Sequence, residues 1–211
     1  MITPLVFVHG WGLNSTMWDP LISELKTDDC HTIDLGFIDG GQTSWQEWEK
    51  PAIYIGHSLG SLWVLKALHD KSLNIKGFVA IAGFSDFTQC ADEGSLQMMQ
   101  RGIEKKTAAQ LTHFWRQAGV PGKPEADMLN QEGLLEGLAW LSTWNEAEKV
   151  SVLNCAKCIL ASKVDKIVPK HATENQWQQE HITWHETAPH ALPLVEPEWC
   201  AKHLQAFLDT L

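Results

Sequence analysis

Six short apolar runs recur along the chain, and stretches with helical spacing separate most of them. The runs are Leu5–Val8, Thr32–Leu35, Ala52–Ile55, Gly77–Ile81, Cys158–Ala161 and Ile182–His185, each of strand length and bounded by turn residues. Between them, Met17–Leu25, Ser58–His69, Lys170–Gln179 and Glu198–Leu211 carry apolar residues at helical spacing. In the last stretch Trp199, His203, Leu204, Phe207, Leu208 and Leu211 make one stripe. Such alternation implies parallel strands, because each helix carries the chain back before the next strand begins. The expected class is therefore α/β, with a mostly parallel six-stranded sheet covered by helices on both faces. A chain of 211 residues fits one domain, spanning 1–211.

The rhythm fails once. Between about Ser85 and Val150 no strand pattern occurs, only helical material broken by Val120-Pro121-Gly122 and Asn130-Gln131-Glu132-Gly133. An insertion between two strands of a parallel sheet belongs over their carboxyl ends, where such folds bind ligands. Residues 85–150 are read as a short helical cap.

The chemistry starts at Gly56-His57-Ser58-Leu59-Gly60, a G-x-S-x-G where a predicted strand meets a predicted helix. That context is what a nucleophile elbow requires. The turn strains the serine backbone, and glycines on either side remove the side chains that would collide there. Ser58 is the predicted nucleophile. Acyl transfer also develops charge on a carbonyl oxygen, which needs two aimed N–H donors. Leu59, after the nucleophile, would supply one. Trp11, in the His9-Gly10-Trp11-Gly12 loop after the first strand, would supply the other. His9 reads as a brace for that loop.

A serine hydroxyl needs a histidine to take its proton and a carboxylate behind the resulting imidazolium. Ten histidines compete. His190 follows the last predicted strand and precedes the terminal helix, whereas His181 and His185 flank or lie in that strand and His171 and His203 fall on helices. His57 should point away along the elbow. His190 is the predicted base. Asp165, on the loop after the penultimate strand, is the predicted acid, with Asp86 as its rival. The order Ser, Asp, His along the chain accords with that assignment.

Composition excludes other classes. A net charge of −10 argues against nucleic acid, whose binders carry basic faces. The first residues form no signal peptide and no run long enough to span a bilayer, so a cytoplasmic protein without a membrane partner is expected. Cys155 and Cys158 form a C-x-x-C, but no second pair or histidine pair completes a metal shell. They are read as buried thiols, and neither metal nor organic cofactor is expected.

These motifs together resemble the α/β-hydrolase superfamily along nearly the whole chain. Val8-His9-Gly10-Trp11-Gly12-Leu13-Asn14 with Trp18, and Pro189-His190-Ala191-Leu192-Pro193 with Glu196-Pro197, look most like the pimeloyl-acyl-carrier-protein methyl ester esterases of biotin synthesis. The resemblance implies an α/β-hydrolase fold and a serine carboxylesterase acting on a small-molecule or carrier-bound ester, with an acyl carrier protein as partner. In that family a tryptophan gives the second oxyanion N–H and lines the acyl pocket, which falls on Trp11. The chain departs from relatives in three ways. It begins at the oxyanion strand, Asp34-Leu35-Gly36-Phe37 lacks the fuller Asp-x-Pro-Gly-x-Gly loop, and Ser61 replaces a second glycine after the elbow beneath a short cap.

The cap is basic between Ser95 and Lys123, where Arg101, Lys105, Lys106, Arg116 and Lys123 accompany one acid, Glu104. Such a patch suits an acidic carrier, against the alternative of an ordinary solvated face. Its second half carries Glu132, Glu136, Glu146 and Glu148. Of eleven tryptophans, Trp11, Trp63, Trp115, Trp140 and Trp144 are pocket candidates; only Trp11 is expected to touch substrate. Alternatives on the same triad are thioester hydrolysis, carbon–carbon cleavage and a menaquinone-pathway elimination. A weakly catalytic ligand- or carrier-binding protein is the alternative of another class.

Overall fold

The computed structural model describes residues 3–70 and 73–211. Its six strands are β1 (Leu5–Val8), β2 (Cys30–Ile33), β3 (Ala52–His57), β4 (Ile75–Ile81), β5 (Ala156–Ser162) and β6 (Ile182–His185). They form one sheet in the order β2-β1-β3-β4-β5-β6, and every pairing is parallel. The expected α/β architecture is therefore realised with an all-parallel rather than mostly parallel sheet.

Side chains alternate between two cores, as the period of a strand demands. Leu5, Phe7, Ile53, Ile55, Val79 and Ile81 enter one, with Leu21 of α1 (Asp19–Ser23) and Leu204 of α8 (Pro197–Leu208). Val6, Val8, Tyr54, Phe78 and Ala80 enter the other, with Val64 and Leu65 of α2 (Leu59–Asp70). Trp177, just after α6 (Lys170–Gln176), is in the second core and donates its indole N–H to the Gly83 carbonyl at 3.0 Å. The short α7 (Leu192–Val195) leads into α8.

Between β4 and β5 lie α3 (Glu93–Ala118), α4 (Gln131–Thr143) and α5 (Ala147–Val152). Asp92 caps α3, its carboxylate accepting the Ser95 N–H at 2.9 Å, and Gly119 ends the helix in the left-handed region at φ 77°. The helix breaks at Lys106, whose φ of −152° and ψ of 69° are not helical. A break frees carbonyls that the next turn would have used. Gln131 answers this, its Nε2 donating to the Ile103 carbonyl at 2.7 Å and to Thr107 Oγ1 at 2.9 Å.

The two legs of this insertion are fastened together. The Glu146 N–H donates to the Ser85 carbonyl at 2.8 Å, Asp86 and Asn145 form an antiparallel bridge, and Gln176 Oε1 accepts the N–H groups of Ser85 and Asp86. Glu146 is not a surface acid: it is buried and paired with Lys149 at 2.7 Å and Lys66 at 3.6 Å.

Candidate active site

The elbow is built by close approach. Gly56 has no room for a side chain, since a Cβ there would lie 2.4 Å from the Ser61 nitrogen, and one at Gly60 would lie 2.0 Å from the Val8 carbonyl oxygen. Between them Ser58 adopts φ 53°, a left-handed conformation costly for a serine. Its N–H is held by the Ile81 carbonyl at 3.1 Å, and its own carbonyl receives the Ser61 N–H at 2.9 Å. Ser61 donates its hydroxyl to the Gly56 carbonyl at 2.8 Å. Gly83 makes the space, because a Cβ there would meet Ser61 Oγ at 2.1 Å.

Ser58 lies at the start of α2 and lines a cavity of about 550 Å³. Trp11, Phe87, Leu96, Phe114 and Leu141 supply its apolar wall; Gln110, His113, Asp92 and Lys166 add polar groups. The cavity thus lies between the strand ends and the β4–β5 insertion. Leu59 opens α2, so its N–H is among the leading donors that a helix cannot pair internally. Trp11 is 2% exposed, stacks edge-on against Phe114 at 4.9 Å and donates its indole N–H to the Leu134 carbonyl at 2.8 Å. Of the five tryptophan candidates only Trp11 lines this cavity. Trp115 instead donates to the Gly12 carbonyl at 2.8 Å, Trp63 packs on Trp48, and Trp140 stacks on Trp144.

Asp165 and His190 meet. His190 Nδ1 lies 2.7 Å from Asp165 Oδ2, with both side chains 2% exposed. The other oxygen of Asp165 accepts the N–H groups of Ile167 at 2.7 Å and Val168 at 2.9 Å, which fixes the carboxylate. The bond to a carboxylate, an acceptor only, places the proton of His190 on Nδ1 and leaves Nε2 free to accept. Nε2 is buried and makes no hydrogen bond, so it is not yet engaged with the Ser58 hydroxyl. Such contacts tighten when substrate binds.

The rival acid is spent elsewhere. Asp86 accepts Thr88 N–H at 2.9 Å, Thr88 Oγ1 at 2.6 Å and Asn145 Nδ2 at 3.0 Å, and has no contact with His190.

His9 braces the loop after β1: its Nε2 accepts the Leu35 N–H at 2.8 Å while Nδ1 donates to the Gly10 carbonyl at 2.9 Å. Asp34 joins the brace, accepting from Ser15 at 2.6 Å and Gly36 at 2.8 Å. Burial raises its pKa, and these N–H groups oppose that, so the carboxyl is held below its ordinary range. The shortened Asp34-Leu35-Gly36-Phe37 motif therefore still organises the loop, with Gly36 at φ 76° supplying its turn.

The base loop has clamps of its own. Ser162 Oγ donates to the Ala188 carbonyl, and the Ala191 N–H reaches the Ala118 carbonyl at 2.9 Å. His185 Nδ1 accepts the N–H groups of Thr187 and Ala188, so this strand histidine is structural. One expectation fails. His57 does not point away but packs its ring 4.9 Å from that of His190 and donates Nε2–H to the His190 carbonyl at 3.1 Å. The partner lies 133 positions on, beyond the reach of local reasoning. Ser162, a hydroxyl closing an apolar strand, is the one clamp of this loop with a visible sequence signal.

The C-x-x-C holds two free thiols. Cys155 and Cys158 are half-buried rather than buried, and burial pushes Cys158 up to about 11, far from a reactive thiolate. Among the described residues no cluster suits a metal ion, and no helix is long and apolar enough to cross a membrane.

Comparison with known proteins agrees with this architecture. The sequence model of the alpha/beta hydrolase family matches residues 5–203. A pimeloyl-[acyl-carrier protein] methyl ester esterase from Shewanella oneidensis is 35% identical over 210 residues, covering 85% of this chain and 80% of that protein. One from Shewanella woodyi is 37% identical over 100 residues, covering 42% of this chain and 39% of that protein. Among solved structures, a bromoperoxidase from Bacillus anthracis superposes with a TM-score of 0.82 at 16% identity, over 99% of this chain and 92% of that one. An esterase from Thermogutta terrifontis gives 0.76 at 16%, over 99% and 90%. The chain belongs to the alpha/beta hydrolase family, and within it to the carboxylic ester hydrolases typified by the pimeloyl-[acyl-carrier protein] methyl ester esterases.

Proposed function

We propose that the chain hydrolyses the methyl ester of an acyl chain borne by acyl carrier protein, as in the pimeloyl step of biotin synthesis, using Ser58, His190 and Asp165. The observation that carries the reading is the buried Asp165–His190 contact of 2.7 Å, which leaves His190 Nε2 bare, with Ser58 held in a strained turn. His190 takes the hydroxyl proton as Ser58 Oγ attacks the ester carbonyl. Asp165 stabilises the imidazolium, and the Trp11 and Leu59 amides receive the oxyanion. Collapse expels methanol with the proton from His190. Water, deprotonated by the same nitrogen, then releases the acid. No cofactor enters these steps.

In this reading residues 1–211 act as one hydrolase domain, with 85–150 as its cap. A cavity of about 550 Å³, mainly apolar, suits an acyl chain. Arg101, Lys105, Lys106, Arg116 and Lys123 are all exposed, which leaves their charges available to an acidic carrier. The test compares carrier-bound and free methyl esters of varied chain length. A higher kcat/KM on the carrier-bound ester is expected. Preference for a thioester over both would favour the thioesterase alternative. A fluorophosphonate that fails to label Ser58 would favour a binding protein.

A further inference from the structure

We propose that His57 is a positioning residue for the base, its Nε2–H holding the backbone of His190 so that the strand bearing the nucleophile also clamps the base loop. The inference rests on the reading of Ser58 and His190 as nucleophile and base.

The geometry fixes one tautomer. The His190 carbonyl 3.1 Å from His57 Nε2 can only accept, so Nε2 carries the proton and Nδ1 is bare. Nδ1 is buried without a partner. The Gly10 backbone closes over it, since a Cβ on Gly10 would lie 2.8 Å away. The ring packs against Trp18, edge-on at 6.3 Å, and against His190 at 4.9 Å.

Protonation of this ring is opposed from every side. Burial comes first, then the neighbouring His190; together they hold His57 well below the ordinary histidine range despite its bond to the His190 carbonyl. A neutral His57 leaves His190 free to become cationic when it takes the Ser58 proton. A charged one would oppose that step.

Asp165 orients the ring of His190 through Nδ1, and the His190 carbonyl accepts the Leu192 N–H at 2.8 Å, a contact inside the loop that fixes nothing relative to the elbow. Ser162 ties Ala188 to β5, and Ala118 of α3 ties Ala191 to the cap. Among the described residues only His57 hydrogen-bonds the loop to β3, and it does so one peptide bond from Ser58. Elbow and base loop therefore keep a fixed spacing, which matters because a displacement of about 1 Å can cost roughly 10²-fold in rate.

His57→Phe keeps a ring between Trp18 and His190 but deletes the donor. His57→Gln returns an N–H near the position of Nε2. The expected result, measured on a small chromogenic ester and corrected for folded fraction by circular dichroism, is a fall in kcat of about 10–10²-fold for His57→Phe. KM should stay within about twofold, and His57→Gln should recover most of the loss. Equal losses in both variants, a change in KM alone, or no loss in His57→Phe would overturn the proposal. Should neither variant fold, nitrogen-15 histidine spectra of the unaltered protein decide it. A protonated Nε2 with no titration between about pH 5 and about pH 9 is expected, and an Nδ1–H tautomer or a titrating His57 overturns it. Ser58→Ala separates the two readings. Retained turnover there sinks the triad, whereas its loss beside indifferent His57 variants sinks only this inference.

Discussion

Replacing Asp165 by Asn tests the acid assignment with minimal change of shape. The carboxylate accepts from Ile167 and Val168 through one oxygen and faces His190 Nδ1 with the other. An amide must keep its oxygen toward the two backbone donors, because turning it would set an NH₂ against both. Its nitrogen then faces His190 Nδ1, and two donors cannot share that bond. The ring answers by moving its proton to Nε2, the atom that must receive the Ser58 proton. Comparable exchanges in other serine triads lower kcat by about 10⁴, or about 5 kcal/mol of transition-state stabilisation. Steady-state kinetics on a p-nitrophenyl ester should show that fall, with the unfolding temperature little altered. Asp86→Ala is the control. It removes the acceptor of Thr88 and Asn145, so it should cost about 1–2 kcal/mol of stability while kcat stays within about threefold. If Asp165→Asn retains kcat within about tenfold, or Asp86→Ala falls as far, the assignment of the acid is wrong.

Ser58→Ala should lower turnover by about 10⁶-fold with folding intact and abolish fluorophosphonate labelling; activity within about tenfold of the parent would refute the mechanism. Lys105→Glu with Lys106→Glu should lower kcat/KM on carrier-bound esters and leave chromogenic esters unchanged, and an equal loss on both would remove the case for carrier docking. Gly60→Ala, whose Cβ would lie 2.0 Å from the Val8 carbonyl, should destabilise by several kcal/mol, while Gly36→Ala, with open space at φ +76°, should cost only about 1 kcal/mol in thermal unfolding. Asp34 has a folded pKa of about 2, below its ordinary 3.8, so its stabilising contribution is present above pH 3.8 and lost as pH falls toward 2. Compared with Asp34→Asn, the parent should be more stable near neutrality by on the order of 2 kcal/mol, an advantage that vanishes in acid; a constant difference would contradict the linkage.

What could be read from the sequence was whatever depends on neighbours along the chain. Strand periodicity located β1 and β6 to the residue, and G-x-S-x-G located the elbow because its glycines answer contacts within a few positions. β2 shows the limit: the apolar run suggested Thr32–Leu35, yet the strand is Cys30–Ile33. Asp34 leaves the ladder to bind Ser15 and Gly36, a tertiary demand that apolar patterning does not carry. The acid could be assigned to Asp165 from its place after the penultimate strand, but its rival Asp86 could not be eliminated, since the difference lies in side-chain direction. The cavity was beyond reach altogether. Its wall depends on the break at Lys106 and on Gln131 satisfying the carbonyl that the break frees.

The buried side-chain atoms left without partners point the same way. Among the described residues they are Trp18 Nε1, His57 Nδ1 and His190 Nε2, and the three rings lie in a row, at 6.3 Å and then 4.9 Å. Each such atom costs about 1–3 kcal/mol in lost hydration, and folded proteins keep few of them. Three in contiguous rings beside a strained serine mark a region where packing is not set by stability alone. For His190 Nε2 the proposed mechanism supplies the compensation during turnover, when the Ser58 proton would be transferred to it. The bare Nδ1 of His57 has no such moment. Its cost is the consequence of pointing Nε2–H at the His190 carbonyl, which is why the His57→Gln variant, returning a donor there, separates the clamp from the ring that carries it.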